Sequence, residues 1–424
     1  MLGQQYHIAK SIEVIEKPPA EMCLAGRATL LLCGKPRCPI LVKAESLARH
    51  GASLDSEVIR GSSPPAVFVG RFGYPKVYIG PMVPPYYGNT EILDKPEAWM
   101  GKSVEEIVDY RFSLVRGNTR VNVFDAQAGG RLVQQIQELA MASRPVDSEL
   151  HLTKKPRKTI TLSEDSQPFG PSAPIRSLKS GNISADRRIE KAYYDRDLKA
   201  ADATFSLYND DVPVTRIQRA FSAGLFGLAS NRKLVPTRWS ITAVDSTISL
   251  SLIDQVKQHQ TIDEYRIYYF TYLENRYVGL MFPEPWKFEW IEAWFPETTW
   301  NLYGSQPAIV GDYEEYWGRT RYASVGGCYY STRIAVAEKL AQERRQAAVI
   351  FLREIHPGYL LPLGVWNVRE SIRAALKTTP RTFDNLNSAL SHAFGLLSIE
   401  KKNWIQASVL LQRALYQRKI TEFA

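Results

Sequence analysis

The chain has 424 residues, 45% of them hydrophobic, which is enough to bury more than one core, so two domains are expected rather than one. Lysine and arginine (53) outnumber aspartate and glutamate (44), and the resulting net charge of +9 suits a polyanionic partner such as nucleic acid. Four cysteines argue against a disulfide scaffold and for a reducing compartment; there is no apolar run of the roughly 18 residues that a membrane span needs, and MLGQQYHIAK lacks the apolar stretch of a signal peptide, so a cytoplasmic protein with no membrane partner is expected.

In chain order, residues 1–60 hold three of the four cysteines, Cys23, Cys33 and Cys38, with Gly34 and Pro36 turning the chain between the last two. A structural zinc needs four tetrahedral ligands; three thiolates are present, and the fourth would come from elsewhere, with His50 and His7 the nearest histidines. The alternative is that these cysteines are small buried residues. Residues 61–162 read as an α+β domain. Strands are expected at 66–70 and 76–80 around Arg71-Phe72-Gly73-Tyr74-Pro75, a helix opened by the capping box Ser103 and Glu106, and a second helix at 131–141. Lys154-Lys155-Pro156-Arg157-Lys158 begins a change of texture, and the Ser/Pro/Gly-rich stretch 163–184 reads as a linker or long loop.

Residues 185–416 read as a second, α/β domain. A charged helix is expected over 185–208, a strand at 238–244 and a helix at 246–258. A hairpin of 265–273 and 277–282 turns at Glu274-Asn275-Arg276, and a strand follows at 286–294. A helix at 331–346, a strand at 347–354 and two amphipathic helices at 384–396 and 400–416 complete it. The class is mixed α/β (α+β): a two-part protein with an N-terminal cysteine module and C-terminal helices. Strand order is not legible.

Arginines alternate with aromatics in two places. Arg232 and Lys233 lead into Arg238-Trp239; Arg319, Arg321 and Arg333 flank Gly326-Gly327 and Tyr329-Tyr330. Guanidinium groups bind phosphate bidentately, aromatic faces stack on unpaired bases, and a Gly-Gly pair before a helix aims backbone N–H groups at an anion. A groove for single-stranded DNA or a nucleotide is one reading. In the other, the rings are core and the arginines pair with Asp312, Glu314 and Glu315. Asp245, Glu354 and His356 are the candidates for catalysis, since carboxylates at strand ends hold Mg²⁺ or move protons in phosphodiester chemistry. Glu289 and Glu292 fall on opposite faces of their strand, and Glu370 sits beside Arg369 on a helix. No carboxylate spacing is diagnostic, and buried Arg–Glu pairing is the alternative. Whether the protein is an enzyme stays open: a nuclease or nucleotide-processing site would need Arg238, Asp245, Arg333 and Glu354 to converge. Cys328 reads as a small buried residue.

The last eight residues, 417–424, run Gln-x-x-aliphatic-x-x-aromatic through Gln417, Ile420 and Phe423. One tight helical turn brings Ile420 and Phe423 to one side, able to enter a single apolar pocket, while Gln417 bonds backbone at its rim. This is the pattern of a peptide that plugs into a DNA sliding clamp. Ala424 stands where a second aromatic is usual, and the missing ring forfeits roughly 2–4 kcal/mol of burial, so weak docking is expected. The alternative is a helix tail packed back on the body.

Seven segments resemble the archaeal Nre family of DNA repair proteins: LCGKPRCPIL (32–41), VFVGRFGYPKVYIGP (67–81), LAMASRPVD (139–147), RKLVPTRWSITAVD (232–245), WKFEWIEAW (286–294), GRTRYASVGGCYYSTR (318–333) and GVWNVRESIR (364–373). They fall in order over nearly the whole chain. The resemblance implies a two-part protein that acts in DNA damage repair, close to the nucleoid, and docks on the sliding clamp PCNA through its C-terminal peptide. It also implies a four-cysteine zinc pattern at the N-terminus. Cys23, Cys33 and Cys38 fit three of those places, and Gly26 stands in the remaining one. An adaptor that couples the clamp to another repair factor without touching DNA is a further alternative.

Overall fold

The computed structural model describes residues 37–51, 54–157, 170–302 and 304–416. Cys23, Cys33 and the tail residues Gln417, Ile420 and Phe423 lie outside the described residues. The class is mixed α/β, as the sequence predicts, with two six-stranded sheets and helices packed on them.

The N-terminal part opens with helix α1 (Pro39–His50), which Cys38 precedes as a buried N-cap. Strands β1 (Val58–Ser63), β2 (Val67–Val69) and β3 (Lys76–Val83) follow. Then come α2 (Val104–Phe112), β4 (Val115–Asn122), the single turn α3 (Asp125–Ala128), α4 (Arg131–Met141), β5 (Val146–Leu152) and β6 (Ser172–Ser180). The sheet order is β1-β5-β6-β4-β3-β2, with β4 and β6 parallel and the other pairs antiparallel. The capping box forms as its sequence predicts: Ser103 Oγ accepts from Glu106 N at 3.2 Å and the Glu106 carboxylate accepts from Ser103 N at 2.9 Å. One element departs from expectation. Ser172–Ser180, inside the stretch expected to be a loop, is an interior strand, paired on both sides. Its Ser and Pro residues lower strand propensity, but sheet context decides strands more than propensity does.

Helices α5 (Arg187–Tyr194) and α6 (Ala200–Asn209) replace the single charged helix expected there. The break is local chemistry: the Asp195 carboxylate turns back to accept from the backbone N–H groups of Asp197 (3.1 Å) and Leu198 (3.0 Å). After α7 (Val214–Ser222), helix α8 (Thr237–Val256) is the largest correction. The β-branched Ile241, Thr242 and Val244 favour a strand over 238–244. In the structure these residues are the first two turns of a 20-residue helix that starts after Pro236. Its buried face, Ser240, Val244, Ile248 and Leu252, keeps helical spacing, but a serine and the buried Asp245 interrupt the apolar signal. Asp245 therefore sits mid-helix and not at a strand end.

The C-terminal sheet contains β7 (Tyr265–Tyr272), β8 (Asn275–Phe282), β9 (Lys287–Trp294), β10 (Ala308–Glu314), β11 (Ala348–Ile355) and β12 (Arg381–Phe383), in the order β10-β9-β11-β8-β7-β12. The β7–β8 hairpin turns through Leu273 and Glu274, both left-handed (φ 49° and 55°), which is the two-residue turn whose twist matches paired strands. Helix α9 (Gly327–Glu343) begins four residues earlier than expected and lies with α8 and α10 (Val365–Lys377) on one face of this sheet. On the other face Leu390, Phe394, Trp404 and Leu411 pack from α11 (Leu386–Gly395), α12 (Lys401–Ala407) and α13 (Val409–Tyr416). Layers on both faces leave β11 buried throughout its length. The first face also receives β2, β3, α4 and α7, so the two sheets share one apolar core. Among the described residues no helix is long and apolar enough to cross a membrane.

The helix expected over 400–416 breaks at Ser408, and the cause is a buried carboxylate on β9. Glu289 accepts from Val409 N (2.7 Å), Leu410 N (3.1 Å) and the Ser408 hydroxyl, so it seats the start of α13. Burial pushes its carboxyl up to about 7, well above its unfolded value, with those hydrogen bonds pulling the other way. A folded pKa raised above the unfolded one means that the native state holds the proton more tightly. This contribution is present below the unfolded carboxyl pKa and declines as pH rises towards 7. Urea unfolding of the wild type and Glu289→Gln across pH 4.5 to 7.5 checks this: the wild type should lose stability over that window relative to the variant, and parallel profiles would refute it.

Candidate nucleic-acid interface

A cleft of about 1630 Å³ runs between the N-terminal sheet and the helix layer of the C-terminal sheet. Its walls come from β2 and the loop after it, from β4, and from the first turns of α8, α9 and α10. One hydrogen bond, Val69 N to Thr237 Oγ1 at 3.0 Å, ties β2 to the start of α8 across it.

Its charge is one-sided. Nine cations line it (Arg71, Arg111, Arg116, Lys154, Arg157, Arg219, Arg238, Arg353 and Arg369), and Glu292 is the one carboxylate in the lining among the described residues. Eight of the cations fall into two groups. Arg111, Arg219, Arg353 and Arg369 are buried and held by named partners. Arg111 and Arg219 share Asp94: Arg111 Nη1 donates at 2.7 Å, and Arg219 Nε and Nη2 at 2.8 and 2.7 Å. Arg353 donates to Glu292 at 3.2 Å and twice to Asn275 Oδ1, and lies near the rings of Tyr277, Trp294 and Tyr359. Arg369 donates to Asp245 and Glu370, both at 3.1 Å. Arg71, Lys154, Arg157 and Arg238, by contrast, are exposed and make no ion pair among the described residues. Burial pulls the Arg116 guanidinium down to about 10, which leaves it charged at neutral pH.

The backbone adds to this field. Helices α8, α9 and α10 all begin at the cleft, and none has a side-chain cap or an acidic residue in its first turn. The three starts are packed together: a Cβ on Gly327 would lie 2.9 Å from Val365 Cγ1 and 3.7 Å from Thr242 Oγ1. Gly326 (φ 65°) and Gly364 (φ 112°) make the turns into α9 and α10, conformations that favour glycine. Each helix start carries about half a positive charge, so three of them reinforce the arginines.

The residues singled out from sequence go to different places. Arg238 lines the cleft. Arg232 instead donates to the carbonyls of Gly227 (2.8 Å), Tyr193 (2.6 Å) and Asp195 (2.6 Å), and Lys233 lies over Phe124. Arg319 pairs with Asp312 at 2.7 Å, and Arg321 is exposed outside the lining. Arg333 is buried against Glu314 (2.7 Å), Ser246 and Ser249. Asp245 is buried beneath Arg369, with its carboxyl pushed up to about 6 by burial against the pull of that arginine. Glu354 lies on the sheet face opposite Arg353, where it accepts from Ser398 N and Ile399 N, both at 2.8 Å. His356 stacks on Phe295 and reaches Glu354 at 3.3 Å. Arg238, exposed in the cleft, thus lies apart from Asp245, Arg333 and Glu354, which serve separate buried networks, and the four do not converge. Cys328 lies in the cleft wall, where burial, with Glu292 adding to it, pushes its thiol up and keeps it protonated. Among the described residues no group of three or more His, Cys, Asp and Glu is placed to hold a metal ion. Sequence reading missed Asp94, Arg111, Arg219 and Arg353. The available signal was an arginine inside an apolar stripe, as in AVIFLREI of β11, which demands a buried partner.

A family model described as archaeal Nre, N-terminal, matches residues 32–301, and one described as archaeal Nre, C-terminal, matches 314–423. A DNA repair protein NreB of Archaeoglobus fulgidus is 41% identical over 402 residues, covering 95% of this chain and 99% of the relative. A DNA repair protein NreA of the same organism is 36% identical over 375 residues (88% and 93%), and an NreA of Haloferax volcanii 35% over 347 residues (78% and 80%). No solved structure matches.

The shared carboxylate sets a testable cost. Replacing Asp94 by Asn leaves two buried guanidinium groups without their counter-charge, and should destabilise the fold by about 3–5 kcal/mol. Urea denaturation checks this, and an unchanged midpoint would contradict the pairing.

Proposed function

The chain belongs to the archaeal Nre family, and on that premise we propose that it is a DNA repair protein that holds DNA along the basic cleft and is drawn to the sliding clamp PCNA by Gln417, Ile420 and Phe423. The observation that carries the DNA reading is the cleft itself: nine cations against one carboxylate, four of them exposed and unpaired among the described residues, with three helix starts aimed into it. A phosphate backbone is the ligand that uses a long positive groove of this kind, and its binding is driven by counterion release. The pocket-forming residues do not favour a phosphodiester-cleaving site, because Asp245, Glu354 and His356 are each engaged elsewhere. The N-terminal thiols belong to the same proposal: Cys23, Cys33 and Cys38 would hold a structural zinc with a fourth ligand from elsewhere. His50 suits that role poorly, since its Nε2 lies 3.2 Å from Asp109 Oδ1.

Three measurements check these parts separately. The logarithm of DNA affinity should fall linearly with the logarithm of salt concentration. Arg71→Ala or Arg238→Ala should each lower that slope by about 1; slopes unchanged in both would remove the cleft from DNA binding. Deleting residues 417–424 should abolish binding to PCNA in calorimetry while leaving DNA affinity intact; retained clamp binding would sink the tail assignment. Metal analysis of the purified protein should find about one zinc per chain, lost in Cys38→Ser, and a metal-free wild type would refute the zinc reading.

A further inference from the structure

Five exposed aromatic rings line the same cleft as the cations: Phe72 (78% exposed), Tyr78 (48%), Trp239 (46%), Trp300 (42%) and Tyr322 (64%). Three of them rest on another ring, a buried one for Trp300 and Tyr322 and the exposed Tyr74 for Trp239. Trp300 is stacked on buried Trp294 at 5.2 Å and 23°, and Arg353 also lies 5.6 Å from Trp294. Tyr322 leans on buried Tyr330 at 5.4 Å and 34°, and Trp239 on Tyr74 at 5.2 Å and 49°. Each of these three rings is therefore held on one side while much of its surface stays open to water. Phe72 carries the Arg71 guanidinium 5.0 Å from its ring.

Rings held in this way are platforms for another flat, apolar face. In duplex DNA the base faces are stacked on one another and inaccessible, and only the phosphates and groove edges reach the protein. Unpaired nucleotides offer both the phosphate and a free base face. From the interleaving of rings and cations in one cleft, we infer that the DNA taken there is single-stranded, with unstacked bases lying on Trp239, Trp300 and Tyr322 and their phosphates on the exposed arginines. The charge rules against an apolar protein surface as the occupant, since a partner would have to bring carboxylates to meet nine cations. This inference rests on the DNA reading of the cleft given above, and it specifies the form of DNA.

The test uses the full chain and fluorescence anisotropy, with a labelled oligothymidine of about 12 nucleotides and a blunt duplex of equal length at one salt concentration. Site sizes of that order are usual for stacking grooves. The wild type should prefer the single strand. In Trp300→Ala, Trp239→Ala and Tyr322→Ala the ratio of single-strand to duplex affinity should fall by roughly tenfold each, the size usual for loss of one stacked base. Trp300→Phe, which keeps a ring, should restore most of the preference and separates lost stacking from a damaged fold. Equal affinity for both forms, or a ratio unmoved by the alanine variants, overturns the single-strand inference while the salt slopes of Arg71→Ala and Arg238→Ala still report on the cleft. No DNA binding of either form, or capture only of an acidic protein, overturns both.

Discussion

Arg111 and Arg219 meet on one carboxylate, Asp94, and much of the molecule is arranged around that uneven match. The three residues come from α2, from α7 and from the short turn between β3 and α2, so the contact clamps the N-terminal part to the helix that leads into the shared core. Burial pulls the Arg111 guanidinium down from its ordinary value, with Asp94 working against that and Arg219 with it. Two cations on one anion leave a buried excess of positive charge, and an excess of this kind is costly unless something else meets it. The side it faces is the cleft, where an anionic ligand would complete the pairing.

The rest of the cleft repeats the same bias by other means. Three helices begin there without acidic residues in their first turns, whereas α2, whose first turn lies outside the cleft lining, opens with Glu105 and Glu106. Glycines at 326 and 364 let the backbone turn sharply into two of those helices, and the close fit of Gly327 on Val365 keeps the starts together. Carboxylates in this region, such as Asp245 and Glu292, are held by buried arginines. On the opposite face of the sheet, carboxylates serve the backbone instead. There Glu289 and Glu354 accept from main-chain N–H groups and fix the C-terminal helices that lead towards the tail.

Elements with a single periodicity were legible in the sequence: the capped helix α2, helix α4, the β7–β8 hairpin and strand β11. Those that failed carry mixed signals. Helix α8 hides its buried stripe behind Ser240 and Asp245, strand β6 is built from Ser and Pro residues that only its neighbours hold extended, and the 400–416 helix is cut by Glu289, more than a hundred residues away. The site was legible in kind and much less so in detail. Arg238 and Trp239, singled out from sequence, both line the cleft, yet Arg232, Arg319 and Arg333 hold backbone or acids. Which arginine faces a cleft and which faces a carboxylate depends on the partner that tertiary structure brings, as Asp94 shows.

DNA lying in the cleft is the central claim, and backbone hydrogen exchange of the full chain, with and without a short single-stranded oligonucleotide, tests it most directly. Occupancy of the cleft predicts slowed exchange in four segments far apart in sequence, around residues 67–74, 237–242, 326–330 and 364–369, all of which contribute to the cleft wall. Slowing confined to other surfaces, such as the outer face of α11 to α13, would contradict it.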